Sequence, residues 1–251
     1  MSLLLTGVGS LASAPAFTPA SLPAYVGSPH SVAAMRSSGS LWQNSTKTLQ
    51  ATASGDPVRV AVTAAGDWTA PTDAARMTLT NVSGSKWALY ADGIDDALVA
   101  PAGVSFAGDF EFLAMVSWRA STTFWHVLSD ANQNPAMKRY AAVAYSDQNY
   151  QVFNGAALSA LAGSDPGAEP TAAHLAGLSR ESNALFARVG ATDYAPGTSS
   201  GDLFGTTALA VASKGIVGEY GAIALYGLAL YSARLSAANR AALAAYLTAL
   251  A

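Results

Sequence analysis

Three acids crowd one short stretch of the chain, Asp92-Gly-Ile-Asp-Asp96, so that Asp92, Asp95 and Asp96 fall within a single turn. Calcium is held by several hard oxygens that a loop can wrap, which makes these residues the candidate metal ligands and calcium the ion. Asp-Gly also forms a tight turn for backbone reasons alone, because Gly supplies positive φ and Asp bonds its own backbone. A second pair, Asp109 and Glu111, alternates along a strand-like run, and a period of two puts both on one face. Two carboxylates facing one sugar bond is the arrangement of glycoside hydrolysis. No third acid follows, the next alternate residues being Leu113, Met115 and Ser117. A solvated strand start accounts for the pair, so no catalytic residue is assigned and the chain is read as non-enzymatic.

Sugar recognition needs aromatic rings to stack on pyranose faces, with amides or carboxylates close by. Trp68 in Gly66-Asp-Trp-Thr-Ala-Pro71, Tyr150 beside Asn149, and Tyr194 in Asp193-Tyr-Ala-Pro196 are the candidate ligand-binding residues. Trp125 is mid-strand and reads as core. His30, His126 and His174 share no metal-ligand spacing and read as structural. There is no Gly-x-Ser-x-Gly elbow and no Gly-rich phosphate loop. Asn44-Ser-Thr46 and Asn81-Val-Ser83 match glycosylation sequons and are read as chance.

Strands and turns must position these residues. Val58 to Val62 alternates, Ala64 to Trp68 reads as a turn, and Ala75 to Thr80 alternates again. Trp87 to Ala91 leads into the Asp92-Gly93 turn, from which Ile94 to Val99 continues outward. Phe110 to Trp118 is the longest strand, and Thr122 to Leu128 follows it. Arg139 to Tyr145 pairs with Tyr150 to Phe153, and Ala173 to Leu178 with Ala184 to Val189, as two hairpins. Thr207 to Val211 precedes Ala222 to Tyr231, which is polar on neither face and predicts a strand covered on both sides. Ser236 caps a closing helix striped by Leu243, Tyr246, Leu247 and Leu250. About a dozen short strands with regular turn signals predict a β-sandwich.

Composition excludes several classes. The chain has 251 residues, a net charge of −3 and no Lys/Arg cluster, so nucleic-acid binding by phosphate neutralisation is not expected. With no cysteine, neither disulfides nor thiolate metal sites can form. No apolar run approaches the roughly 18 residues of a membrane span. Met1 to Ala16 imitates a signal peptide but lacks the basic n-region, so export by that route is not expected. Residues 1–40 are aperiodic, and Arg36 is their only charged residue. Apolar side chains such as Leu3, Leu4, Leu5, Phe17 and Tyr25 would cost free energy in water. The segment reads as an extended docking arm, fastened to a neighbouring subunit in preference to folding back on its own domain at 41–251.

Three stretches together resemble the concanavalin-A-like lectin/glucanase superfamily, in particular the laminin-G-like domains of bacteriophage structural proteins. They are Leu41-Trp-Gln43 with Gly55-Asp-Pro-Val58, the Trp87 to Leu98 strand-turn, and Leu230 to Leu247 with its Leu-Tyr-Ser-Ala-Arg-Leu-Ser sequence. The chain departs from the family's pattern at Val62 to Trp68 and at Arg76-Met77. The resemblance implies an all-β, antiparallel jelly-roll β-sandwich with an N-terminal arm and a short C-terminal helix. It also implies a structural protein of a phage or phage-like particle, assembled in the host cytoplasm. Its arm would contact other virion proteins or copies of itself, and its sandwich host glycan. The alternative reading is a carbohydrate-binding, lectin-like module assisted by calcium. The family's enzymes carry Glu-x-Asp-x-x-Glu or Glu-x-Asp-x-Glu along one strand, and only Asp109-Phe-Glu111 is comparable here.

Overall fold

The computed structural model describes residues 31–34, 40–63, 66–101, 109–119, 124–130, 140–145, 150–154, 157–160, 172–182, 184–193, 197–198, 209–212, 221–231 and 233–251. In chain order the strands are β1 (Ser31–Ala34), β2 (Leu41–Trp42), β3 (Pro57–Val58), β4 (Val60–Thr63), β5 (Gly66–Thr69), β6 (Met77–Ser83), β7 (Lys86–Tyr90), β8 (Leu98–Val99) and β9 (Phe110–Trp118). They continue as β10 (Phe124–Asp130), β11 (Tyr140–Tyr145), β12 (Tyr150–Asn154), β13 (Ala157–Ala160), β14 (His174–Glu181) and β15 (Ala184–Val189). Then come β16 (Thr192–Asp193), β17 (Gly197–Thr198), β18 (Leu209–Val211), β19 (Ile223–Tyr231) and helix α1 (Ala237–Thr248).

These strands make two antiparallel sheets. The first runs β16-β15-β14-β9-β19-β7-β6-β3, with β1 on β19 and β17 on β15; the second runs β13-β12-β11-β10-β18-β8-β5-β4-β2. The protein is an antiparallel jelly-roll β-sandwich closed by one helix.

The centre of the first sheet is β9 beside β19, and all nine residues of each are buried. Alternation sends Phe110, Phe112, Ala114, Val116 and Trp118 into the core between the sheets, while Leu113 and Met115 face α1. On β19 the parity changes midway. Ile223 and Leu225 face the inter-sheet core, then Leu228 and Leu230 do, and the register with β9 shifts between Leu225 and Gly227. This bulge at Tyr226 explains why the sequence of the strand shows no clean alternation. Helix α1 covers the outer face with Leu243 and Leu247, preceded by Leu235 and followed, just past its end, by Leu250. Each such side chain contributes about 1.5–3 kcal/mol on burial. Ser236 caps the helix as expected, its Oγ accepting the Asn239 N–H at 3.3 Å.

Three expectations are corrected. Ala64 to Trp68 is not simply a turn, because Gly66 to Thr69 pairs with β4 as β5. Ile94 to Val99 is not a continuous strand, since only Leu98 and Val99 pair. Ser31 to Ala34, inside the segment read as aperiodic, pairs with β19 from Leu230 to Gly227. It occupies the stretch of that edge beyond β7, which pairs with Ala224 and Leu225. Leu3, Leu4, Leu5, Phe17 and Tyr25 lie outside the described residues.

Candidate functional site

The acidic turn is built where β7 leaves the first sheet. The Ala91 N–H donates to the Ile223 carbonyl at 2.9 Å, which ties the end of β7 to the start of β19. Gly93 then takes φ +80°, and a Cβ placed on it would come within 3.1 Å of the Ala222 Cβ. Only glycine meets both demands without strain. Asp92 Oδ1 accepts the Ile94 N–H at 2.7 Å and the Asp95 N–H at 3.4 Å. Asp96 Oδ2 reaches back to accept the Asp92 N–H at 2.9 Å. The Ala97 N–H bonds the Ala75 carbonyl at 3.1 Å and fixes the exit. The turn thereby gathers the three acids expected from the sequence, with one carboxylate oxygen from each lying within 4.8 Å of the others.

The three acids differ in setting. Asp92 is exposed, Asp95 half-buried and Asp96 only 5% exposed. Burial pushes the Asp96 carboxyl up to about 7; the neighbouring Asp92 and Asp95 charges add to this, while the Asp92 N–H and Arg119 oppose it. Arg119 extends the site from the end of β9. Its backbone N–H donates to the Ala222 carbonyl at 3.0 Å, and its guanidinium lies 3.7 Å from the centre of the Tyr90 ring. Ile94, 74% exposed, forms the tip. Three hard-oxygen donors at this spacing fit part of a calcium shell, and the proton held by Asp96 is what such a cation would displace. Carboxylates beside a guanidinium and a partly covered aromatic ring also match the donors, acceptors and apolar face of a sugar.

The other candidates separate from this site. Trp68 is 1% exposed within the core and is not available to a ligand. Its Gly-Asp-Trp-Thr-Ala-Pro setting suggests a loop aromatic, but β5 turns it inward opposite Ala61. Tyr150 stands on β12 opposite Ala144 of β11, which is itself opposite Trp125 of β10, so the three occupy one cross-strand row. Tyr194 and His30 lie outside the described residues. The solvated reading of the Asp109–Glu111 pair holds only for Asp109, which is exposed and accepts the Ser182 N–H at 2.7 Å. Glu111 is 3% exposed, accepts the Leu235 N–H at 3.3 Å and lies on the helix side of the sheet. The His174 ring lies tilted by 58° against Trp118 with centroids 5.8 Å apart, and burial lowers its pKa. Arg119 and Tyr90 were not singled out in the sequence. The available signal was a charge placed directly after the long, largely apolar run that ends β9.

No protein-family model and no curated protein matches the sequence. Among solved structures the chain is similar to Trypanosoma rangeli sialidase in complex with 2,3-difluoro-KDN, with TM-score 0.51 and 13% identity over 83% of this chain and 31% of that one. It is similar to a mutant of the same sialidase displaying trans-sialidase activity, with TM-score 0.50 and 14% identity over 65% of this chain and 28% of that one. A carbohydrate binding module from Bacillus subtilis aligns at TM-score 0.38 and 14% identity, over 59% of this chain and 87% of that one. The chain spans less than a third of the sialidase chains, 31% and 28%. At these identities the likeness is one of fold, and the class it defines is the antiparallel β-sandwich.

Proposed function

We propose that this protein is a non-enzymatic, carbohydrate-binding β-sandwich module whose ligand sits on the rim formed by Asp92, Asp95, Asp96, Arg119 and Tyr90, with calcium ordering the acidic turn. The fold alone does not choose a ligand. The observation that carries the reading is the convergence of three carboxylates within 4.8 Å of one another beside the Arg119–Tyr90 pair. Sugar hydroxyls both donate and accept, so a rim of carboxylate acceptors and a guanidinium donor matches them. Calcium, when bound, would supply a fixed positive centre for hydroxyl oxygens; the side chains of the turn hold it and set its position. The helix-side burial of Glu111 supports a binding role over hydrolysis, because a two-carboxylate mechanism needs both acids on one accessible cleft. The test is a glycan array probed with and without calcium. Hits that Asp92→Asn with Asp95→Asn removes support the reading, and an array without hits in either condition rejects it.

A second reading has one observation in its favour. Ser31 to Ala34 is held in the first sheet against β19, which gives the uncharged segment before it a fixed point of attachment. That anchorage supports, as a second proposal, an assembly role in a phage-like particle, with residues 1–30 fastening the sandwich to other virion proteins or to copies of itself. Deleting residues 2–30, which spares the β1 strand, then leaves a folded sandwich that no longer enters particles, and normal incorporation contradicts the role.

A further inference from the structure

Helix α1 closes the outer face of the first sheet, and no described helix closes that of the second. Within the second sheet, Leu41, Ala61, Trp68, Leu98 and Val211 face the core between the sheets. Alternation assigns their strand neighbours to the other side. The register then gives a continuous row there: Val60 opposite Thr69, Thr69 opposite Val99, Val99 opposite Ala210, Ala210 opposite Ser129, and Ser129 opposite Tyr140. The row of Trp125, Ala144 and Tyr150 belongs to the same face.

This face is almost without charge. Among its strand positions, from Trp42 of β2 to Ser159 of β13, Asp67 is the one charged residue, and Lys47 pairs with it at 2.9 Å. Val62 is 36% exposed, and Trp42, Thr69 and Val99 are half-buried, so this part of the face meets solvent. An antiparallel sheet with one solvated face ordinarily places polar residues on it. An uncharged, largely apolar face of several hundred Å² is instead typical of an interaction surface.

Its size and composition select the occupant. Nine strands spaced by about 4.8 Å, averaging about four residues, cover roughly 600 Å². Two such faces together bury roughly 1,200 Å², which reaches the range of stable specific interfaces. In a two-fold pairing the same surface meets itself, so any unpaired charge faces its own like; this face carries none. The positions of Trp125, Tyr140 and Tyr150 stand beside the small Ser129, Ala142 and Ala144, a mixture of sizes that two stacked sheets can interleave. Residues 1–30 are also uncharged, but Pro15, Pro19, Pro23 and Pro29 interrupt them, and a regular flat surface of this extent is not available to such a segment. A second sheet supplies one.

We propose that the outer face of the second sheet is a homodimer interface, on which two copies of the chain stack face to face about a two-fold axis.

Sedimentation velocity of the full chain across micromolar concentrations tests this, with a reversible dimer expected. Ala144→Arg sets like charges together in the middle of the interface and should weaken the dimer by at least about a hundredfold. Thr69→Arg, at a half-buried position of β5, does the same and decides the matter if Ala144→Arg does not fold. Far-UV circular dichroism identifies the folded variants. Leu3→Ser with Leu4→Ser and Leu5→Ser, in the full chain, leaves the dimer unchanged. A monomeric wild type, or a dimer that survives arginine on this face, overturns the interface. So does loss of the dimer in the Leu3, Leu4 and Leu5 variant, which would assign the contact to the N-terminal segment.

Discussion

Asp96 Oδ2 accepts the backbone N–H of Asp92 at 2.9 Å, so the most buried acid of the turn is also the one that closes it. The same carboxylate therefore sets the shape of the rim and carries its most perturbed charge.

That charge gives a pH signature. The Asp96 pKa is raised from 3.8 to about 7 in the folded protein. A raised folded value means that its contribution to stability is fully present below the unfolded value and is lost as pH rises through about 7. Glu111 titrates over a similar window, from 4.5 to about 7, so the wild type loses stability through both groups. Asp96→Asn keeps the oxygen that receives the Asp92 N–H and removes one share. Urea midpoints from pH 4 to 8 should show the wild type losing on the order of 2 kcal/mol more than the variant. Parallel profiles would show that Asp96 is not buried as described.

Calcium should be linked to the same proton. If the ion is held by Asp92, Asp95 and Asp96, it displaces the proton on Asp96, and affinity weakens as pH falls below about 7, approaching tenfold per unit. Calorimetric titration at pH 8 and pH 6 measures this. Asp92→Asn with Asp95→Asn should abolish the heat at both values without changing the melting temperature of the calcium-free protein by more than a few degrees.

Gly93→Ala tests the backbone that supports the rim. The residue has φ +80° and faces the Ala222 Cβ at 3.1 Å and the Ala222 N at 3.2 Å, so alanine is strained by conformation and by contact. A loss of about 1–3 kcal/mol in denaturant unfolding is expected, with calcium binding weakened alongside it.

Trp68→Ala separates core from site. With Trp68 1% exposed between the sheets, truncation should cost about 3–5 kcal/mol through the cavity it leaves. Ligand affinity per folded molecule should be unchanged, and a stable variant that has lost ligand would restore Trp68 to the binding surface.

The sequence made the framework legible where a pattern stayed local. The apolar run of β19, the two hairpins and the Ser236 cap all announce themselves within about ten residues. The acidic turn did too, because Asp92, Gly93, Asp95 and Asp96 are nearly contiguous. Gly66-Asp-Trp-Thr69 misled because glycine and aspartate signal a turn. In the structure Asp67 points out to Lys47 at 2.9 Å while Trp68 points in, an ordinary strand alternation written in turn residues. Ser31 to Ala34 has a single β-branched side chain, Val32, among small residues, and its pairing depends on the far end of the chain. Glu111 looked like a solvated strand start because the segment that buries it, Leu235 to Arg240, comes more than a hundred residues later. Arg119 joins the rim for a similar reason, since Tyr90 and Ala222 meet it only across the sheet.

The most direct measurement follows backbone amide shifts during titration with a glycan selected on the array, in the presence of calcium. The expected result is saturable movement of the Ile94, Asp95 and Arg119 amides, with those of α1 unchanged. Saturable shifts confined to other parts of the molecule, with the Asp92–Asp96 turn silent, would contradict the assignment of this rim as the carbohydrate site.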